Sequence, residues 1–493
     1  MGSVSKSAAV RARLHHPVID SDGHTVEFEP AVMETLKEVG GPSIVERYKT
    51  ERSKGMAASL GNLLRWHHLT PEERRDERAT VPPWWALPAK NTLDRATSTL
   101  PKLLYERLDD FGLDVTILYP TFGLIAPHLD DEEIRRATCR AFNIYHSRIF
   151  SDYTDRLIPV AVVPMHAPQE AIEELEYAVK RLGMKAVMLA GHVLRQVPSV
   201  MRKAPEAGQY AYWVDNLCLD SEYDYDPVWA KCCELKVAPT FHSGGMGWGS
   251  RTSISTYMYN HIGHFGAAGE ALCKAMIFGG VTRRFPQLKC AFLEGGVSWG
   301  ATLYSDLIAR WKKRNGQAVE NYNPANLNSE ELLSLFERYG HKEVVDKLDQ
   351  FSNASGQTIN TRSAPAQRND FWRCGIEKAE DIKDLFVPHF YFGCEADDPT
   401  NATAFNAKAN PFGARIRAIF SSDIGHWDVP DMTEVTEEAY ELVEEGLISE
   451  NDFCDFVFTN PAELWTGMNP DFFKKTVVEK EINSLLASGK TLN

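Results

Sequence analysis

Short apolar, β-branched runs bounded by turn residues recur along the chain, the pattern of strands buried on both faces. The first four are Pro17–Asp20, Val115–Tyr119, Ile158–Val163 and Ala186–Leu189. The next four are Ala238–Phe241, Lys289–Leu293, His389–Phe392 and Ile416–Phe420. Helical periodicity follows the second over Asp131–Tyr153 and the third over Pro168–Leu182, and precedes the fifth over Asp226–Leu235. It returns after the eighth over Val435–Glu445 and Glu450–Phe456. Strand alternating with helix implies a parallel sheet with right-handed crossovers, and eight such units close into a barrel. The expected fold is therefore α/β, a (β/α)8 TIM barrel with helical insertions.

Chemistry collects where these runs end. Asp20, Asp22 and His24 come at the end of the first, His242 after the fifth, Glu294 after the sixth and Asp423 after the eighth. In a barrel the C-terminal strand ends converge on one mouth, so four strands deliver carboxylates or imidazoles to one place. Asp22 and His24 are two residues apart and share a face of an extended chain. Considered alone, such a pair is more often a helix cap or polar loop. Joined by His242 and Asp423, it reads as a metal site.

Two segments exceed a minimal barrel, about 31–99 and about 310–384. The first carries Trp66, His67, His68, Trp84 and Trp85 and suits a lid, a subunit interface or simple packing. The barrel is assigned to 17–470, with a mobile N-terminal arm over 1–16 and a C-terminal helical tail over 471–493. In that arm no apolar run follows the basic residues, unlike a secretory signal.

Composition narrows the class. The net charge of −15 over 493 residues argues against a nucleic-acid surface. No run is long and apolar enough to span a bilayer. Nine cysteines without a CxxC pair argue against a zinc ribbon or disulfide framework and suggest a reducing, cytoplasmic setting.

The order IDSDGHTVEFEP, LYPTFGL, RLIPVAVVP, FHSGG, FGGVTRRFPQLKCAFLEGGVSW and FSSDIGHWD resembles the amidohydrolase-related branch of the amidohydrolase superfamily. Aminocarboxymuconate-semialdehyde decarboxylase and aromatic-acid decarboxylases belong to that branch. The resemblance implies a divalent ion, zinc first with manganese or iron as alternative, held by Asp22, His24, His242 and Asp423. It also implies a small aromatic or unsaturated carboxylic acid as substrate and a homo-oligomer. Where the decarboxylases carry a catalytic His-Gly-Gly, this chain has Glu294 in Glu-Gly-Gly, so a histidine acid/base gives way to a carboxylate.

The remaining candidates each have more than one reading. Glu294 is a proton carrier or a further ligand, or a salt-bridge partner of Arg283 or Arg284; Glu27 is a further ligand or a solvated turn. Asp423 positions a metal-bound water or caps the helix that follows, and His426 is its hydrogen-bonding companion or a structural histidine. Trp248 and Arg251 form a pocket wall and carboxylate clamp, or an ordinary loop. His261 and His264, three apart on a helix, line the substrate pocket or complete a metal site, or pack in the core. The reactions to weigh are hydrolysis or decarboxylation at one ion and oxidation at a dinuclear Fe/Mn site. A third reading is a diverged scaffold subunit within a hetero-oligomer.

Overall fold

A computed structural model describes residues 4–51, 63–83, 89–351 and 369–488. The ten strands are β1 (Ile19–Thr25), β2 (Val115–Pro120), β3 (Leu157–Val163), β4 (Ala186–Leu189), β5 (Val193–Gln196), β6 (Tyr212–Asp215), β7 (Pro239–Phe241), β8 (Cys290–Phe292), β9 (Phe390–Cys394) and β10 (Arg417–Phe420). Eight of them form one sheet in the order β1-β2-β3-β4-β7-β8-β9-β10, and every pairing within it is parallel. All eight expected strands are present. The antiparallel hairpin β5–β6, which the apolar pattern does not announce, stands outside the barrel.

The barrel closes between β10 and β1 just beyond the regular ladder. Asp423 N–H donates to the Asp22 carbonyl at 3.0 Å, and His24 N–H donates to the Ile424 carbonyl at 2.8 Å. Buried Asp20 pins this seam, accepting from Thr116 Oγ1 at 2.5 Å and from Ser422 N and Oγ at 2.8 Å each. A buried carboxylate needs such donors. The register of β1 on β2 slips between Asp20 and Gly23, inserting one extra residue. Bulges of this kind re-aim side chains beside active sites. Gly23 has to be glycine, since an added Cβ would lie 2.4 Å from Thr116 Oγ1.

Strand residues are buried on both faces, as the continuous apolar runs require. Inside the barrel, Tyr119 donates its hydroxyl to Thr240 Oγ1 at 2.9 Å, and Thr240 donates in turn to the Val187 carbonyl. This polar rung lies beneath the mouth.

Lys6–Arg13 is a helix capped by Ser5, with Val10 and Ser7 buried and Arg11 paired to Asp114 at 2.6 Å. In the first insertion, Trp66 packs near Val81, Met246, Tyr257 and Trp427, so this segment covers part of the mouth. Trp84 and Trp85 lie outside the described residues. In the second insertion, the helices Ser329–Tyr339 and Lys342–Val345 bury no residue. The tail carries the helix Glu479–Ala487.

Candidate metal centre

β1 carries Asp22 and His24; His242 follows β7, Glu294 follows β8 and Asp423 follows β10. The structure brings all five together. His24 Nε2 lies 3.1 Å from His242 Nε2, and 3.5 Å from both Asp22 Oδ1 and Asp423 Oδ1. His242 Nε2 lies 3.6 Å from Asp22 Oδ2 and 3.2 Å from Glu294 Oε2. These side chains are almost wholly buried.

Hydrogen bonding does not account for the arrangement. Both oxygens of Asp22, both of Asp423 and Glu294 Oε2 are buried without a well-aligned hydrogen-bond partner. Leaving one buried acceptor unsatisfied costs about 1–3 kcal/mol, and more for a charged group. The spacings do match a coordination shell. Donors about 2.0–2.2 Å from one ion stand roughly 3.0 Å apart on an octahedral edge and roughly 3.4 Å on a tetrahedral one. The residues present fit a divalent cation.

The electrostatics agree. Burial raises Asp22 to about 7 although His242 opposes the shift, and it pushes Asp423 and Glu294 well above the usual carboxylate range. Burial lowers His24 to about 3 and His242 to about 4. The imidazoles therefore stay neutral, with lone pairs free for a metal. A cation placed here would restore the ionised carboxylates.

His426 attaches to this set. Its Nδ1 lies 2.7 Å from Asp423 Oδ1, its Nε2 lies 3.2 Å from Thr121 Oγ1, and its ring stacks on His24 at 3.6 Å. Glu27 does not join. Its carboxylate accepts from Phe122 N at 2.9 Å and Gly123 N at 3.3 Å and faces His146, so it caps the turn Phe122–His128. The expected further ligand is a structural anchor for the loop after β2.

Beside His242 a cleft of about 730 Å³, open mouth included, runs outward between Leu124, Ile125, Met246, Trp248 and Phe265. His128, His166 and His192 supply its polar wall. Trp248 thus stands where a pocket wall was expected, its ring edge-on to His192 at 4.7 Å. Arg251 is not among the lining residues; its Nη2 donates to the Gly263 carbonyl at 3.2 Å. His264 is buried beneath the FHSGG loop, where an added Cβ on Gly244 would lie 2.3 Å from its Nδ1. His261 lies instead near Glu294 and Asp428.

Sequence reasoning passed over Asp428, Glu395 and the three cleft histidines. The only signal for Asp428 was its place at the end of SSDIGHWD. His128, His166 and His192 sit singly, one at the end of the turn Phe122–His128 and two in loops, and share no spacing.

The sequence pattern of the amidohydrolase family matches residues 65–326, more than half of the 493 residues. The chain belongs to that family. Among solved structures it is similar to amidohydrolase map2389c from Mycobacterium avium subsp. paratuberculosis K-10, at 17% identity and a TM-score of 0.49, covering 92% of this chain and 98% of that one. It is also similar to a dihydroxybenzoic acid decarboxylase from Polaromonas sp. JS666 with bound manganese, at 16% identity, 92% and 97% coverage and a TM-score of 0.46. A third is 5-carboxyvanillate decarboxylase LigW from Sphingomonas paucimobilis, at 12% identity, 91% and 98% coverage and a TM-score of 0.47. Among the described residues no helix is long and apolar enough to cross a membrane.

Proposed function

We propose that this amidohydrolase is a metal-dependent hydrolase or carboxy-lyase acting on a small aromatic or unsaturated carboxylic acid. One observation carries the reading: buried donor atoms of Asp22, His24, His242 and Asp423 converge at co-ligand spacing, and both oxygens of Asp22 are buried without a hydrogen-bond partner. Two imidazoles with carboxylates suit zinc, and manganese equally. When bound, the ion supplies Lewis-acid polarisation of a substrate oxygen and acidifies a coordinated water.

The chain's own residues do the rest. Asp423 is read as the group that takes up and returns the proton, with His426 Nδ1, 2.7 Å from Asp423 Oδ1, as its hydrogen-bonding companion. Thr121 steadies the other ring nitrogen. Glu294 is read as a donor rather than the proton carrier, because its Oε2 stands 3.2 Å from His242 Nε2. The apolar cleft walls exclude water and hold a planar acid by its ring, while neutral His128, His166 and His192 offer hydrogen bonds to its polar substituents.

Elemental analysis of the purified protein, with a screen of aromatic and unsaturated acids for hydrolysis or CO₂ release, tests the proposal. Stoichiometric divalent metal and turnover abolished by chelation are expected. Full activity in a chelated, metal-free protein would sink it.

A further inference from the structure

The helix Ser329–Tyr339 of the second insertion has an apolar face with little to pack on. Leu332, Leu335, Phe336 and Tyr339 recur at i, i+3, i+4 and i+7, the spacing of a single stripe that normally faces a core. Here the helix buries none of its residues, and Leu335, Phe336 and Tyr339 are exposed, the tyrosine by 69%. The short helix Lys342–Val345, which follows, exposes Val344 and Val345 as well.

Cover from within the chain is slight. Phe336 meets the ring of Phe351 at 5.2 Å, and residues 352–368, next in sequence, carry Ile359 as their one large apolar side chain. A helix of 11 residues is marginal in water unless its apolar face is packed. Clustered exposed apolar residues rimmed by polar ones mark an interaction site. The charges beside the stripe point to the occupant. Glu331 and Arg338 are seven residues, or about two turns, apart, so both lie along one edge of it, the acid near the N-terminus and the base near the C-terminus. A two-fold axis through the middle of the stripe reverses the direction of a second helix while matching like edges. Each Glu331 then comes opposite Arg338 of the other copy, twice in one pair, with the apolar side chains meeting between them.

We infer that the helix Ser329–Tyr339 is a docking surface for a second copy of this chain, the two apolar stripes packing antiparallel about a two-fold axis. Antiparallel pairing also sets helix ends of opposite partial charge side by side. The interface is formed by the insertion and not by the barrel, and it is independent of the metal centre.

Sedimentation equilibrium of the full-length protein over a dilution series tests this. Leu335→Asp places a charge in the middle of the stripe at an exposed position, and the assembly should fall to half the wild-type mass. Glu331→Arg and Arg338→Glu each turn two attractive contacts into two repulsive ones. Each should raise the dissociation constant by roughly tenfold. An equimolar mixture of these two variants should return to the wild-type constant, because every contact across the axis again joins opposite charges. Neither a role within one chain nor a foreign partner gives that recovery. Circular dichroism checks that the variants remain folded. A monomeric wild type, or a Leu335→Asp variant of wild-type mass, would overturn the inference. So would charge variants that associate like wild type, or that mixing does not restore.

Discussion

Glu294 and Asp423 approach the same point from different strands, and both do so in the left-handed backbone region, with φ of 53° and 52°. Residues other than glycine adopt this region at a cost of roughly 1–2 kcal/mol, and such strain gathers at functional sites. Each chain reversal comes two or three residues after its strand ends, swinging the carboxylate over the mouth. Glu294 combines backbone strain with a buried, unpartnered oxygen. Glu294→Gly should therefore stabilise the chelator-treated protein by about 1 kcal/mol while lowering its metal content. Urea unfolding in chelator checks this. A less stable variant would show that the carboxylate makes net favourable contacts without metal.

His242→Ala removes the imidazole that faces both Asp22 and Glu294. Loss of even an outer partner of a metal ligand costs about 10–100-fold in affinity, so loss of a ligand should exceed that. Metal bound after dialysis should fall sharply, with little change in far-ultraviolet circular dichroism. Unchanged metal content would remove His242 from the ligand set.

The pH dependence follows from Asp22. Unfolded, its carboxyl ionises near its ordinary 3.8; folded and without metal, burial delays this to about 7. Folded-state binding of the proton is thus the stronger, and metal-free stability from this group falls as pH rises from 3.8 to about 7. A bound cation favours the ionised form and offsets the loss. The rise in melting temperature on adding Mn²⁺ should accordingly be larger at about pH 8 than at about pH 5. A constant rise across that range would mean that no buried carboxyl loses a proton on metal binding.

The barrel was legible because its strands are buried on both faces and so read as unbroken apolar runs. Asp22, His24, His242, Glu294 and Asp423 were legible because each closes such a run. The hairpin β5–β6 was not, since its strands are four residues each, VLRQ and YWVD, and the apolar positions in them are cut short by Arg195, Gln196 and Asp215. Glu27 misled for a related reason. It sits two residues beyond β1, but its carboxylate turns to the backbone N–H groups of Phe122 and Gly123, a partnership made between distant parts of the chain. Asp428 and His261 meet only through the packing of Trp427 and Tyr257, which no local spacing encodes.

The structural role of Glu27 is open to direct test. Glu27→Gln replaces one carboxylate oxygen with an NH₂ group that cannot accept from the Phe122 or Gly123 N–H. A buried donor left unsatisfied should cost about 1–3 kcal/mol of stability. Metal stoichiometry should not change. Loss of one metal equivalent from a normally folded variant would return Glu27 to the coordination shell.

Trp248 separates binding from chemistry. Its indole walls the cleft beside His192 but stands outside the converging donor set. A contact that serves substrate and transition state alike affects KM and leaves kcat nearly unchanged. Trp248→Ala removes a large apolar surface from the pocket, worth on the order of 1–3 kcal/mol, or roughly 5–150-fold in KM. Steady-state kinetics on whichever acid the enzyme turns over should show this split, with metal content unaltered. If kcat fell instead while KM held, the indole would be touching the reacting atoms, and the pocket would have to be redrawn with the substrate lying across Trp248.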